Sequence, residues 1–206
     1  MASKIDLSAD LSRVVDESVA ILQLGGIIVF PTDTGYAIGC DLYSKKSIDR
    51  IYQLKGRGSD KPLSFICSDL SQTSEYAVVA DSTYQIMKKV LPGPYTFVLP
   101  ASRRVPSLVV SQASSVGIRM PKHPLVGALV SKLQHPIIGT SCSTPEGKAF
   151  ETAEAIRKYF GKRIDRVLDV GKVASSPSSV VDFSHGEKPV IIRKGQGDLK
   201  FLKNAL

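Results

Sequence analysis

The chain has 206 residues, which is enough for one domain with a full core and short for two. Hydrophobic residues make up 43% of it and charged residues 22%, values that are typical of a globular protein and exclude a disordered or fibrous chain. The formal net charge of +8 favours a polyanionic partner, either RNA or a phosphorylated substrate, without choosing between them.

The three cysteines, Cys40, Cys67 and Cys142, lie far apart in the sequence. They offer neither a disulfide framework nor a Cys-x-x-Cys metal site, so we expect a reducing compartment, the cytoplasm. The three histidines are equally scattered, and we predict no metal site built by the protein. The N-terminal segment lacks the apolar core of a signal peptide. No apolar run reaches the roughly eighteen residues that span a bilayer, so no membrane partner is expected.

The first part of the chain alternates between helix and strand patterns. A helix is predicted where apolar residues follow helical spacing after Ser8, the expected N-cap, and it ends at Gly25-Gly26. The apolar run Ile27–Phe30 is typical of a strand buried on both faces, and Pro31 is expected to stop it. Thr32–Gly39 is predicted to be a loop that lines a site.

The remaining patterns complete a mixed fold. A helix capped by Ser44 is predicted to break at Gly56, which leaves Lys55 at its C-terminal end. The other predicted elements, in chain order, are strand Leu63–Cys67, helix Asp81–Leu91, strands Tyr95–Leu99 and Ser115–Pro121, helix Pro124–Leu133, strand Pro136–Ser141, helix Thr152–Phe160, and strands Arg166–Val170, Ser179–Phe183 and Pro189–Arg193. Because strands and helices alternate early and strands dominate late, we predict a single α/β domain over residues 14–200, with a twisted mixed sheet and flanking helices.

A cationic segment follows the second predicted helix. Lys55, Arg57 and Lys61 alternate there with small residues, so backbone amides and basic side chains can converge on one phosphate or carboxylate group. The alternative is a solvated basic turn, which is what most lysine and arginine clusters are. No Walker A loop is present, and Gly56-Arg57-Gly58 follows a helix instead of a strand, which argues against a dinucleotide fingerprint.

Covalent catalysis has no support in the sequence, because no serine lies in a Gly-x-Ser-x-Gly elbow and no cysteine has a histidine nearby. Hydroxyls and cations instead stand at loop starts and strand ends, where open α/β sheets bind ligands. They are Thr32, Thr34, Ser141, Ser143 and Ser178, with Lys55, Arg57, Lys61, Arg119 and Arg193. Each hydroxyl alone is explained by a cap or a turn, but together they suit a small zwitterion beside a polyphosphate.

Six motifs follow one another in a fixed order along most of the chain. They are Pro31–Gly39, Lys55–Pro62, Pro92–Thr96, Arg119–Pro124, Thr140-Ser141, and Ser178–Asp182 ahead of Arg193. In this order they resemble the motifs of the YrdC-like family, the threonylcarbamoyl-AMP synthases. The chain departs from the family pattern at Ser143, which stands where the family has asparagine, and at Gly35 and Ala37. In these features it is similar to the YciO branch of the family.

The resemblance implies a fold and a reaction. The fold is an open, twisted α/β sheet around a concave basic surface that is also proposed to bind double-stranded RNA. In the reaction, L-threonine, bicarbonate or CO2, and ATP give threonylcarbamoyl-AMP and pyrophosphate, with Mg2+ on the phosphates. The product serves threonylcarbamoyladenosine synthesis on tRNA, so the implied partners are tRNA and the proteins that transfer the threonylcarbamoyl group to it.

The resemblance also implies roles for single residues. Lys55 and Arg57 are the implied catalytic residues. The implied threonine-binding residues are Thr32, Ser64, Arg119, Gly139 and Ser178. The implied nucleotide- and phosphate-binding residues are Lys55, Arg57, Ser59, Lys61, Ser115, Ser141, Ser143 and Arg193. Arg119, a charge among apolar neighbours, would hold the threonine carboxylate, and this role would fall if Arg119 were buried in an ion pair with Asp or Glu.

Two alternatives stay open. The first is an RNA-binding or ribosome-associated protein of the same fold without full synthase activity, which the net charge and the cationic segment favour. The second is a stable domain with a diverged ligand and a regulatory role. The sequence does not decide between these and the synthase.

Overall fold

A nine-stranded sheet forms the centre of the structure, a computed structural model that describes residues 4–56, 63–106, 109, 114–186 and 188–204. Its strands are β1 (Ile27–Thr32), β2 (Gly35–Asp41), β3 (Ser64–Ile66), β4 (Tyr95–Pro100), β5 (Ser115–Arg119), β6 (Ile137–Ser141), β7 (Arg166–Val167), β8 (Ser179–Asp182) and β9 (Val190–Arg193). The helices are α1 (Leu7–Gln23), α2 (Lys45–Leu54), α3 (Leu70–Tyr76), α4 (Asp81–Val90), α5 (Pro124–Leu133) and α6 (Ala153–Phe160), with short 3-10 helices at Gly161–Arg163 and Lys200–Asn204.

The strand order is β7-β1-β2-β6-β3-β5-β4-β8-β9. Neighbours pair in parallel at β1/β7, β3/β5 and β4/β8, and the other neighbours are antiparallel. The predicted mixed α/β sheet with flanking helices is therefore confirmed. The predicted domain bounds, residues 14–200, stay a prediction.

Helices cover the two faces of the sheet unevenly. On one face α1 and α5 pack over β1, β2, β6 and the end of β3, around buried residues such as Leu22, Ile28 and Leu129. On the other face α2, α4 and α6 pack around Phe65 and Phe97. Strands β4, β5, β8 and β9 contribute no residue to the core under α1 and α5. The part of that face over these four strands, which we call the open face, is where a ligand can reach the sheet.

The first helix has a different cap from the predicted one. Asp6 is the N-cap, and its Oδ1 accepts hydrogen bonds from the backbone nitrogen of Ser8 at 2.9 Å and from the Ser8 hydroxyl at 2.6 Å. The hydroxyl bond is the main cause that lowers the pKa of the Asp6 carboxyl. The prediction that Ser8 is the N-cap is therefore wrong, because the Ser8 hydroxyl donates to the capping carboxylate of Asp6 and does not itself accept from a helix N–H.

Pro31 does not stop β1, contrary to the prediction. β1 pairs with β2 along its whole length, but β7 pairs only with Ile28 and Val29. At Pro31 the strand therefore has a ladder partner on one side only, where a missing backbone N–H is tolerated.

The segment after β1 is a hairpin and not the predicted loop. The two residues Asp33-Thr34 form the turn, and β2 begins at Gly35. The glycines of β2 suggest a loop in the sequence, but Gly39 allows close packing of strands, since a Cβ there would lie 2.7 Å from Cγ2 of Ile137. The site-lining part of the prediction is taken up below.

The other elements lie within a few residues of their predicted bounds, with one exception. The sequence pattern does not predict α3, which is short and polar and which Asp69 caps by accepting a hydrogen bond from the backbone nitrogen of Gln72 at 2.8 Å. Within the described residues, no helix is long and apolar enough to cross a membrane.

The cap of α6 gives a test of the fold. Thr152 accepts a hydrogen bond from the backbone nitrogen of Ala155 through its Oγ1, at 3.3 Å. We expect Thr152→Ala to lower the free energy of unfolding by about 1 kcal/mol, because one helix N–H loses its acceptor. Urea denaturation measures the change. Thr152→Ser keeps the acceptor and should stay close to the wild type; equal losses in both variants would contradict the capping role.

Candidate functional site

A cavity of about 1090 Å³ lies on the open face of the sheet. Its walls come from the β1–β2 hairpin, from β3 to β6, from the residues after β6 and from β8 and β9. Pockets for small-molecule ligands typically occupy a few hundred to about 1,000 Å³, so this cavity has room for a nucleotide together with a second small molecule.

Strand register places the two arginines of the cavity on one line across the sheet. Arg119 in β5 pairs with Thr96 in β4. Val180 in β8 pairs with Thr96 on one side and with Arg193 in β9 on the other. Because directly paired residues point to the same face of a sheet, these side chains share the open face.

Small residues form the floor next to this line. Ser64 in β3 pairs with Gly139 in β6 and with Gly117 in β5. A Cβ at Gly117 would lie 3.4 Å from Oγ of Ser64, and a Cβ at Gly139 would lie 3.0 Å from the backbone oxygen of Ile38. The two glycines therefore deepen the cavity and expose backbone that a ligand can approach closely.

Arg119 lines the cavity and forms a buried ion pair. Its Nη2 donates to Oδ1 of Asp33 at 3.0 Å and to Oγ1 of Thr34 at 2.9 Å, and the two charged side chains are 11% and 12% exposed. Its Nε is buried without a hydrogen-bond partner in the part of the chain that the structure describes. This buried ion pair is the arrangement that the sequence analysis sets against a ligand role for Arg119. Because the pair uses Nη2 alone, the other guanidinium nitrogens are not engaged by Asp33 or Thr34, and the ligand role stays a prediction.

Lys55 lines the cavity from the C-terminal end of α2 and is 5% exposed. Its Nζ donates to the backbone oxygens of Ser141 at 3.1 Å and Ser143 at 2.9 Å, and to the hydroxyl of Ser143. An ammonium group has three protons, and these three bonds use them. In this structure Lys55 therefore fastens the segment after β6 to α2, and a phosphate can reach Nζ only by replacing one of these acceptors.

Ser178, an implied threonine-binding residue, contacts both Thr96 and Arg193, and Arg193 is an implied nucleotide-binding residue. Its Oγ lies 2.9 Å from Oγ1 of Thr96, and Arg193 donates to the Ser178 hydroxyl at 3.1 Å and to the Ser178 backbone oxygen at 2.9 Å. Thr96 is buried and is absent from the predicted site. The available signal is its position as a polar residue between Tyr95 and Phe97 in a predicted strand, where alternation puts it on the opposite face from its neighbours.

Burial lowers the pKa of both guanidinium groups that line the cavity, Arg119 and Arg193. Burial is the main cause that lowers the pKa of Arg119; the charge of Arg193 adds to the shift and the charge of Asp33 opposes it. Burial also lowers the pKa of Arg193. An anion bound near both groups would favour their charged forms. The cavity thus suits an anionic or zwitterionic ligand.

All predicted site residues within the described ranges line this one cavity. They are Thr32, Thr34, Lys55, Ser64, Ser115, Arg119, Gly139, Ser141, Ser143, Ser178 and Arg193. Arg57, Ser59 and Lys61 lie outside the described residues. Thr96, Lys148 and Glu151 also line the cavity without having been predicted. The structure brings the predicted residues together, and the role of each toward a ligand stays a prediction.

Cys142 lies between the cavity-lining residues Ser141 and Ser143 and is not itself a lining residue. Burial raises the pKa of Cys142 to about 12 against the opposing charge of Lys55, so this thiol stays protonated at neutral pH. Within the described residues, no group of three or more His, Cys, Asp or Glu comes together to hold a metal ion. The Mg2+ that the resemblance implies on the phosphates of a nucleotide stays a prediction.

Known proteins are similar in sequence to this chain over most of its length. The family model for Sua5, YciO and YrdC, described as telomere recombination, matches residues 20–195. The chain is 33% identical over 190 residues to YciO of Escherichia coli, described as an uncharacterized protein, with 91% of this chain and 92% of the relative covered. It is 33% identical over 171 residues to a threonylcarbamoyl-AMP synthase of Nitrosococcus oceani, with 82% and 92% covered.

Solved structures share the fold. The crystal structure of E. coli YciO superimposes with a TM-score of 0.86 at 32% identity, over 91% of this chain and 92% of that one. The crystal structure of P. abyssi Sua5 complexed with L-threonine gives a TM-score of 0.86 at 26% identity, over 93% of this chain and 57% of that one. The open sheet with flanking helices is thus common to all three proteins.

Proposed function

The chain belongs to the Sua5/YciO/YrdC family, and we propose that it condenses L-threonine, bicarbonate or CO2, and ATP to threonylcarbamoyl-AMP and pyrophosphate. The single observation that carries the proposal is the cavity, because it gathers cations and hydroxyls from distant parts of the chain on one face of the sheet. Relatives named threonylcarbamoyl-AMP synthase, and the Sua5 structure with L-threonine, support the same substrates. The product would pass to tRNA through threonylcarbamoyl-transfer proteins.

The amino acid would bind where Arg119 and Ser178 meet the β1–β2 hairpin. The carboxylate would accept from the guanidinium nitrogens of Arg119 other than Nη2, which Asp33 and Thr34 leave unused. The Ser178 hydroxyl accepts a hydrogen bond from Arg193, which leaves its own proton for Thr96 or for the ligand. Ser64, Gly139 and Thr32 complete this part of the cavity wall.

The nucleotide would bind along the segment after β6. Ser141 and Ser143 line the cavity there, and Ser115 in β5 and Arg193 in β9 line it as well. Lys55 supplies its charge from below this segment, and the direct phosphate contacts of Arg57, Ser59 and Lys61 remain predictions from the sequence. Mg2+ would enter with the ATP phosphates and lower their charge.

The proposed reaction depends mainly on the position of the substrates and needs no activated nucleophile on the protein. The amino group of threonine adds to CO2 and loses a proton, which gives a carbamate. A carbamate oxygen then attacks the α-phosphorus of ATP, and pyrophosphate leaves. Holding the reactants in line and stabilising charge on the phosphates lowers the barrier without a covalent intermediate on the protein. The protonated thiol of Cys142 is in keeping with this scheme.

Pyrophosphate release tests the proposal. We expect the protein, incubated with ATP, Mg2+ and bicarbonate, to release pyrophosphate when L-threonine is added and not when D-threonine replaces it. A phosphatase-coupled assay measures the release, and mass spectrometry identifies threonylcarbamoyl-AMP. Release that does not depend on L-threonine would contradict the proposal.

Duplex RNA binding is the second candidate function, favoured by the net charge of +8 and by exposed lysines such as Lys45 and Lys46 at the start of α2. Phosphate contacts release counterions, so the affinity for duplex RNA should fall steeply as salt rises. Fluorescence anisotropy at several salt concentrations measures this. Binding that is unchanged in Lys45→Ala and Lys46→Ala variants would argue against this surface.

A further inference from the structure

Asp33 in the β1–β2 turn has both carboxylate oxygens engaged. Oδ1 accepts from Nη2 of Arg119 and Oδ2 accepts from the backbone nitrogen of Lys122, each at 3.0 Å. The Asp33 side chain is 12% exposed. One bond comes from backbone that follows β5 directly, so the carboxylate is held in place even apart from its bond to the arginine.

This arrangement fixes the guanidinium of Arg119. Nη2 donates to Asp33 and to Thr34, so both protons on this nitrogen have acceptors. A guanidinium is planar, and holding one terminal nitrogen at two points sets the direction of the others. Nε is then left buried with no acceptor in the described part of the chain. A ligand carboxylate would accept from the guanidinium nitrogens other than Nη2, whose direction this arrangement sets.

Asp33 also cancels the charge of Arg119 before any ligand arrives. The ion pair is nearly neutral as a unit, so an anion without a positive group of its own would bring an extra charge into a buried place. A zwitterion brings its own ammonium group and adds no net charge. Arg193 is the other cation that acts on Arg119. It attracts the carboxylate of a plain anion and the carboxylate of a zwitterion alike, so it does not distinguish the two kinds of ligand.

We propose that Asp33 is a positioning and specificity residue, which holds the Arg119 guanidinium by one terminal nitrogen and makes the site prefer a zwitterionic amino acid to a plain carboxylate. The inference rests on the proposed function in taking the carboxylate of the amino acid as the ligand of Arg119. It adds that the preference between the two kinds of ligand depends on the charge of Asp33, which is not among the residues that line the cavity.

The experiment compares two matched ligands on the intact protein by isothermal titration calorimetry. L-Threonine is the zwitterion, and 3-hydroxybutyrate is the same molecule without its amino group. We expect the wild type to bind L-threonine at least about tenfold more tightly. In Asp33→Asn, which keeps an acceptor oxygen and removes the charge, we expect 3-hydroxybutyrate to tighten and the preference to shrink by about tenfold. Asp33→Glu, which restores the charge, should keep the preference.

Thr34→Val serves as the control, because it removes the other acceptor of Nη2 without changing charge. It should weaken both ligands together and leave their ratio unchanged. An unchanged ratio in Asp33→Asn, with L-threonine still bound by the wild type, would overturn the inference alone. Failure of the wild type to bind L-threonine would overturn the proposed function as well. If Asp33→Asn does not fold in plain buffer, 3-hydroxybutyrate should restore its thermal transition, and failure to do so would also overturn the inference.

Discussion

Lys55→Met is expected to destabilise the protein by about 3 kcal/mol and to abolish threonine-dependent pyrophosphate release. Methionine fills a similar volume but donates no hydrogen bond, so the two backbone oxygens and the Ser143 hydroxyl that now accept from Nζ lose their donor. The two acceptors on Ser143 are buried, and each buried acceptor left unsatisfied costs about 1–3 kcal/mol. Urea denaturation and the pyrophosphate assay measure the two effects.

Lys46→Met is the matched control, because Lys46 is exposed on the same helix. It should change neither stability nor activity. The pair of measurements also separates two roles for Lys55. If Lys55 acts only as a phosphate ligand, Lys55→Met loses activity at unchanged stability. If it positions the segment after β6, both are lost, and unchanged stability would contradict that positioning role.

Ser143, whose hydroxyl accepts from Lys55, is also a position where the chain departs from the family pattern. The resemblance to the YrdC-like family places an asparagine at this position, and an asparagine side chain is longer and both donates and accepts. The shorter hydroxyl of Ser143 accepts from Nζ of Lys55, which ties the ammonium back to the cavity wall. The departure from the family motif therefore supplies one acceptor of Lys55, while its other two acceptors are backbone oxygens that do not depend on the side chain at this position.

Local chemistry made much of the fold predictable from the sequence. The bounds of α5 match the prediction because Pro124 starts the helix and apolar residues repeat at helical spacing up to Leu133. The prediction is wrong where a local rule is overridden by tertiary context. Pro31 continues a strand because β7 ends before reaching it, and Gly39 serves strand packing instead of a loop.

The sequence predicts which residues line the site, but it does not predict the hydrogen bonds between them. The motifs place the cations and hydroxyls in order, and the sheet then gathers them in one cavity. The partners of these residues lie too far along the chain for spacing rules to find. Lys55 and Ser143 are separated by 88 positions, Arg119 and Asp33 by 86, and Thr96 and Ser178 by 82. The tertiary packing of helix ends, turns and strands around the sheet brings them into contact.

Arg119→Met is expected to destabilise the protein by about 3 kcal/mol or more, because it leaves the carboxylate of Asp33 buried with only the backbone nitrogen of Lys122 as donor. Removing one partner of a buried ion pair typically costs about 3–5 kcal/mol, whereas replacing both by neutral groups costs far less. The double variant Arg119→Met/Asp33→Asn should therefore regain most of the lost stability. Urea denaturation of the two single variants and the double variant gives the coupling free energy.

In the double variant, L-threonine binding should stay weak although stability recovers. This contrast distinguishes a ligand-binding role of Arg119 from a purely structural one. A charge-assisted hydrogen bond to a carboxylate contributes about 1.5–3 kcal/mol, so both Arg119→Met and the double variant should bind L-threonine about 100-fold more weakly than the wild type. Arg13→Met, at an arginine whose side chain is 61% exposed on α1, should leave stability and binding unchanged. If the double variant is stable and binds L-threonine like the wild type, Arg119 is a structural ion-pair partner and the carboxylate lies elsewhere in the cavity.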